Sequence, residues 1–376
     1  LDLYQDTVNF DSARSKAGAL KGLAPFGENG WQPDWMVLLG TLWKQVPAQY
    51  RQGAPLIIIA GDKDDYPIDL RYVIRPLIFE REPTLLFGLG GAAKGWLAAT
   101  ICMLISSGES RYGLTVPTPR TVLYLDWEST ETEFNRRIAM LKAGGLTPDA
   151  RVPYRRCAAP LADDLEDIME MAAGVGADMV VLDSLLGACG DDLEKNQGVS
   201  RLFRAFRSLG LAGLILSHTQ KNAKEQDRTA FGSGYWMFAA RSVWGASAVT
   251  EPGGNQTIMG LTHAKVNMGR LHKPLAFAFT FTPDPHDPER DLDCRVSTAD
   301  PDDVPATAKA RPLRFRIKEY LLSVGQREIW EIAEALQADA DSVSTTLYRN
   351  KRLFVSLPGK GRSNLWGARG PENPDV

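Results

Sequence analysis

Four short pieces of this sequence carry residue types that together could hold and cleave a polyphosphate. The first is Gly88-Leu-Gly-Gly-Ala-Ala-Lys94, which follows an apolar stretch from Thr84 to Phe87 and precedes a largely apolar helix from Trp96 onward. A glycine-rich turn between a strand and a helix aims backbone N–H groups and the positive end of the helix at one point, where an anion can sit. Gly88, Gly90, Gly91, Ala92, Ala93, Lys94, Gly95 and Trp96 would form that cradle, with Lys94 reaching the β/γ-phosphates. The loop departs twice from the pattern G-x-x-x-x-G-K-[ST]. Ala93 stands where the second glycine belongs, at a cost of roughly 1–2 kcal/mol if the site needs a positive φ. Gly95 stands where Ser or Thr would offer a hydroxyl to Mg²⁺, so a water must fill that coordination site or the metal binds less well. Taken alone, the piece could also be a plain glycine turn ahead of a core helix.

The second piece is Tyr124-Leu-Asp-Trp-Glu128. Asp126 and Glu128 lie two apart and share a face in an extended chain. A carboxylate beside a triphosphate can orient and deprotonate the attacking water, which would make Glu128 the base. The same acids could instead open a helix from Glu131 to Lys142, where they complement its dipole. In the third piece an apolar run closes on Asp183, placed to hold a magnesium shell through water at the end of a buried strand. The fourth, Leu216-Ser-His218-Thr-Gln-Lys221, delivers His218 to a strand end, where it could touch the γ-phosphate or remain an ordinary surface histidine. Arg241 lies in an apolar stretch and is costly to bury unpaired. Either it pairs with a carboxylate of its own chain or it reaches a neighbouring subunit's γ-phosphate as an arginine finger, and Lys265 offers the same choice.

These pieces need a scaffold, and the order of elements supplies one. From residue 76 to 281 strands and helices alternate, which predicts a mainly parallel sheet with helices on both faces. The strands are read at Thr84–Phe87, Thr121–Asp126, Met179–Asp183 and Leu211–Ser217, with a helix from Asp163 to Ala173 and a long hairpin within 260–281. In such sheets ligands bind at the carboxyl ends of the strands, where the candidate residues stand. Residues 1–75 read as an N-terminal accessory region. Trp31, Trp35, Met36, Leu39 and Trp43 recur at helical spacing there, Leu56 to Ala60 reads as a strand, and no function is legible. Two polar loops, Gly187–Gly198 and Lys221–Gly234, are long enough to move. Lys221, Lys224 and Arg228 in the second could meet nucleic-acid phosphates or form a solvated surface.

Residues 282–311 are rich in Pro and Asp and read as a solvated tether. Residues 312–370 change character: a helix, a second helix, a turn, a third helix with Asp341 as its N-cap, then two short strands around Gly-Lys-Gly. This order resembles a winged helix-turn-helix domain. Between Lys309 and Arg369 about twelve Lys and Arg stand against six Asp and Glu. The last helix would present Ser344, Thr345, Tyr348 and Arg349 to a major groove, with Lys351, Arg352, Lys360 and Arg362 near phosphates. Such domains also serve as protein-docking modules.

The 376 residues, 44% of them hydrophobic, suffice for two or three domains. A net charge of −3 argues against a protein that coats nucleic acid with its whole surface. The four cysteines are far apart and form no C-x-x-C pair, which points away from a metal cluster or disulfide framework. No apolar run reaches the length of a membrane span and no secretion signal is evident, so a cytoplasmic location is expected.

The ordered set of Gly88–Lys94, Tyr124–Glu128, Val181-Leu-Asp183-Ser184, Leu216–Lys221 and Ala240-Arg241-Ser-Val-Trp244 resembles RepA-type hexameric helicases and the related RecA/DnaB-like ATPases over residues 75–281. The resemblance implies an α/β, RecA-like P-loop NTPase core that uses ATP and Mg²⁺. It places Lys94 and Gly91 on phosphates, Glu128 as base, Asp183 on the metal, His218 as sensor, and Arg241 or Lys265 acting in trans. It further implies a ring or filament, most simply a hexamer, with nucleotide sites between subunits, and DNA as the partner in plasmid, phage or mobile-element replication. DnaB-like relatives carry a Lys-x-Arg for the trans contact. Here that stretch reads Lys265-Val-Asn267, which favours Arg241. The rival readings are a nucleotide-gated DNA-binding or loader protein with little hydrolysis, and a small-molecule kinase on the same sheet.

Overall fold

The computed structural model describes residues 71–190, 196–219, 235–358 and 364–369, together with residues 34, 35, 37–39 and 41. Contacts divide the chain into Leu1–Ile68 and Asp69–Val376. In the first unit Asp34 Oδ1 accepts from the Val37 N–H at 3.1 Å, at the start of a helical stretch that includes Trp35 and Leu39. Trp31, Met36, Trp43 and the strand expected at 56–60 lie outside the described residues.

The second unit opens with β1 (Tyr72–Ile74) and β2 (Ile78–Phe79), an antiparallel pair. Val73, Ile74 and Ile78 pack into the same core as the main sheet, so the expected boundary at residue 75 moves back ahead of them. There follow β3 (Pro83–Gly88), α1 (Lys94–Ser107), β4 (Val122–Asp126), α2 (Glu131–Ala143), β5 (Tyr154–Arg156), α3 (Leu165–Val175), β6 (Met179–Asp183), α4 (Leu185–Cys189), α5 (Asn196–Leu209), β7 (Ala212–His218), α6 (Tyr235–Ala239), β8 (Ser242–Thr250), β9 (Gln256–Val266), β10 (Leu275–Asp284) and β11 (Asp287–Thr298).

The sheet order is β11-β10-β9-β8-β3-β7-β6-β4-β5. From β8 to β5 the pairing is parallel, and β9 to β11 are added antiparallel. Central parallel strands are buried on both faces, which is why β3, β4 and β6 are written as nearly unbroken apolar runs. Successive residues still part company. Leu86 and Tyr124 join the core on one face with α1 and α2, while Leu85, Phe87, Leu123 and Leu125 join the core on the other with α3 and α5. α1 is apolar around most of its circumference because it is buried there, from Leu97 to Ile105 without a break.

The chain runs from β3 to β4 on one side and returns from β7 to β8 across β3, so the crevice at the ends of β3 and β7 is where connections part in opposite directions. Sheets of this kind bind ligands at such a crevice. In register, Gly88 lies beside His218 and Asp126 beside Asp183.

Residues 282–311 are not a tether. β10 continues to Asp284, turns, and returns as β11, with Cys294 and Val296 buried between the charged Asp293 and Arg295. Asp284 and Asp287 flank the turn and Asp291 and Asp293 lie on the edge strand, where charge discourages further strand pairing, while Pro301 and Pro305 begin the short helical segments that follow. After it, α7 (Pro305–Ala310) lies against β9, with Val304 and Thr307 buried. The C-terminal part comprises α8 (Leu313–Val324), α9 (Ile329–Ala335), α10 (Ala340–Arg349), β12 (Phe354–Pro358) and β13 (Asn364–Ala368), with an isolated bridge from Arg327 to Trp366. Ile317, Leu321, Ile332, Val343, Leu347, Phe354 and Trp366 form its own small core. The N-cap of α10 is Asp339, whose carboxylate accepts from the Ser342 N–H, and not the expected Asp341, which falls inside the first turn.

Candidate functional site

In the loop after β3 the Ala92 N–H is taken by the Leu89 carbonyl at 3.2 Å, while the start of the helix that follows is left uncapped. α1 begins at Lys94, and its N-cap Ala93 lies at φ 57°, in the left-handed region, with no side chain capping the first turn. The N–H groups of that turn therefore have no intrahelical partner and point out of the helix end. Gly91, at φ 78°, supplies the other left-handed turn of the loop. The strain expected of an alanine at position 93 is present, at roughly 1–2 kcal/mol. Gly88 is needed for a different reason. A Cβ there would lie 2.6 Å from the carbonyl oxygen of Ala246 on the adjoining β8.

A cavity of about 460 Å³ opens over this turn, lined by Gly91 to Trp96, Glu128, Asp183 and His218. Lys94 folds back onto its own loop, its Nζ donating to the carbonyls of Gly88 and Leu89, both at 2.9 Å. Burial lowers its pKa to about 8, while Asp183 and Glu128 act to raise it.

Asp126 and Glu128 share a motif but not a task. Asp126 is fully buried, and its Oδ1 accepts from the N–H groups of Glu128 and Ser129 while Oδ2 accepts from the hydroxyls of Ser129 and Tyr154. It fixes the turn. Glu128 is thereby held out over the cavity, 3.0 Å from His218 Nε2. That hydrogen bond is the first cause of a lowered Glu128 pKa, opposed by partial burial.

Asp183 accepts from the Tyr124 hydroxyl at 2.6 Å. Burial nevertheless raises its pKa to about 6. Because the folded protein binds this proton more tightly than the unfolded chain, Asp183 costs stability as pH rises from about 4 through 6. Asp183→Asn should therefore stabilise the fold at pH 8 by on the order of 2 kcal/mol, with the gain vanishing below pH 4. Denaturant melts across that range would show it, and a variant less stable than wild type at pH 8 would refute it.

The fit to the expected ligands is uneven. Free amides, a buried lysine and a strand-end carboxylate suit a triphosphate. The usual hydroxyl anchor for magnesium is missing, because residue 95 is glycine, and the Arg137 guanidinium lies over it, 2.8 Å from where a Cβ would stand. Among the described residues no group of three or more His, Cys, Asp or Glu is placed to hold a metal ion.

Ser129, Ser184 and Leu216 also line the cavity, and sequence reasoning misses Thr257, Phe281, Glu133 and Arg137 there. Phe281 meets Trp96 edge-on at 5.1 Å. Arg241 is not buried. Its side chain is 46% exposed beside Glu82 at 3.7 Å, next to the start of β3 and so at the opposite edge of the sheet from its own loop. Lys265 is occupied, donating to the carbonyls of Met237, Phe238 and Ala240 at the end of α6 at 2.6–3.0 Å. Arg349, Lys351 and Arg352 are exposed at the end of α10 and just beyond it. Lys221, Lys224, Arg228, Lys360 and Arg362 lie outside the described residues. No described helix is long and apolar enough to cross a membrane.

Residues 54–224 match the family model of an AAA domain. No curated protein matches the chain. Among solved structures, the chain is similar to the flagellar accessory protein FlaH from Methanocaldococcus jannaschii, at 13% identity, covering 65% of this chain and 98% of that one with a TM-score of 0.39. A KaiC-like protein from Pyrococcus horikoshii OT3 is similar at 15% identity, covering 62% and 100% with a TM-score of 0.41. The matched segment takes in the phosphate loop, both acidic strand ends and His218, and the mainly parallel sheet built around them has the α/β arrangement of a RecA-like P-loop fold.

Proposed function

We propose that this protein is an ATP-hydrolysing motor of the RepA-helicase kind, which assembles side by side with copies of itself and acts on DNA in plasmid, phage or mobile-element replication. The observation that carries the reading is the meeting of Glu128, His218, Lys94 and the uncapped start of α1 around one cavity. The amides of Gly91 and of Ala93 to Trp96 receive the β- and γ-phosphates, and Lys94 exchanges its two loop carbonyls for phosphate oxygens. Glu128, positioned by His218, takes a proton from the attacking water as its oxygen bonds to the γ-phosphorus. The bond to the β-phosphate oxygen breaks and ADP leaves. His218 joins the base to the end of β7, so a change at the γ-phosphate reaches the segment that follows that strand.

Arg241, remote from its own loop and exposed, suits a contact with a neighbour's nucleotide, whereas Lys265 is committed to α6. The C-terminal helices and strands follow winged-helix order, and α10 would enter a major groove through Ser344, Thr345, Tyr348 and Arg349.

A second reading keeps the fold and gives up turnover, as a nucleotide-gated DNA-binding or loader protein. The strained Ala93 and the lack of a hydroxyl at Gly95 favour it. Phosphate release separates the two. A motor releases phosphate faster with single-stranded DNA, and native mass measurement shows oligomers with ATP. No stimulated release above Lys94→Ala and Glu128→Gln leaves the loader. A persistent monomer removes Arg241 from any role in trans.

A further inference from the structure

We propose that Arg137 is a phosphate-contacting residue of this site, standing where the loop hydroxyl and its magnesium would be and making triphosphate binding largely independent of a divalent cation. The inference rests on the nucleotide-binding reading above.

Arg137 projects from α2 over the start of α1. A Cβ on residue 95 would lie 2.8 Å from its Nη1 and 3.2 Å from Cζ. Glycine at 95 thus does two things at once: it removes the hydroxyl and makes room for the guanidinium. The side chain is held from two sides. Glu133, one turn earlier on α2, accepts from Nη2 at 2.9 Å, and the Trp96 ring lies beneath Cζ at 5.6 Å. Only 14% of the side chain is exposed. Its other N–H groups meet no protein acceptor among the described residues, and Arg137 lines the same cavity as the loop and Asp183.

A planar fork with free donors, fixed by a carboxylate and an aromatic ring, is suited to two phosphate oxygens. It can neutralise charge that a cation would otherwise meet. A merely structural Arg137, clamping α2 to Trp96, would look the same in the free protein but would leave the metal dependence of binding untouched.

The test is equilibrium titration of the full chain with a fluorescent, non-hydrolysable ATP analogue, with Mg²⁺ or with EDTA. Wild type should lose no more than about tenfold in affinity on chelation. Arg137→Gln should lose a further ten- to hundredfold in EDTA but much less with Mg²⁺, since one charge-assisted contact is worth about that much. Arg137→Lys should recover part of the loss. Gly95→Ser, which displaces the guanidinium without altering α2, should raise the dependence on Mg²⁺ in the same direction. The proposal is overturned if the ratio of affinities with and without Mg²⁺ is the same in wild type, Arg137→Gln and Gly95→Ser. Absence of saturable binding by wild type in both buffers instead removes the nucleotide reading itself.

Discussion

Lys94→Ala should reduce affinity for an ATP analogue by about a hundred- to a thousandfold, the loss of two charge-assisted contacts to phosphate. The fold should survive. Lys94 is buried and its ammonium is satisfied by two loop carbonyls. Removing it gives up those hydrogen bonds but also relieves the desolvation of a charge, and the two effects oppose each other. A second signature belongs to the wild type. With the lysine pKa lowered to about 8 in the free protein, an incoming triphosphate would raise it, so binding takes up a proton near that pH. Affinity should decline as pH rises through 8, and Lys94→Ala should lack that limb. Titration calorimetry in buffers of different ionisation enthalpy reads both effects. Binding by Lys94→Ala at wild-type affinity would remove the lysine from the site and the phosphate cradle with it.

How far the site can be read from letters depends on which atoms do the work. The cradle and the strand ends are legible because central parallel strands are written as apolar runs, and an acid or histidine closing such a run stands at the sheet edge where ligands bind. Register then does what spacing does not show, setting His218 beside Gly88 and Asp183 beside Asp126. Within one motif the letters resolve less. Asp126 and Glu128 look interchangeable in sequence, yet one is a buried turn-former and the other the group over the cavity. Lys265 escapes a sequence reading because its partners are backbone carbonyls at a helix end, and these have no letter. The apolar neighbours of Arg241 suggest burial, but it immediately precedes β8, at the N-terminal end of that strand, where a side chain can leave the core. For the stretch 282–311 composition misleads. Proline and aspartate outweigh a short alternation, Asp293-Cys294-Arg295-Val296, which is all an edge strand needs to display. Arg137 gives no signal at all. It is one of two adjacent arginines on a charged helix, and only the packing of α2 over α1 shows which of them turns toward the loop.

Glu128→Gln separates chemistry from binding. The amide keeps an acceptor for His218 and nearly the same shape, so the turn fixed by Asp126 and the cavity lining should persist. Nucleotide affinity should stay within about threefold of wild type, whereas hydrolysis should fall by about 10²–10⁴-fold, the usual contribution of a positioned general base. The carboxylate is ionised at neutral pH, and the hydrogen bond with His218 is the first cause that holds its pKa below the ordinary glutamate value. His218→Ala removes this support and lets the pKa climb, so the acid limb of the rate profile should move to higher pH while the plateau falls less than in Glu128→Gln. A histidine that only stabilises the fold would shift melting temperature and leave that limb in place. Single-turnover phosphate release followed down to about pH 3.5, beside analogue binding on the same samples, distinguishes these cases. Retention of hydrolysis by Glu128→Gln within tenfold of wild type would reassign the base, and among the strand-end carboxylates Asp183, which burial already leaves partly protonated near pH 6, would then be the remaining candidate.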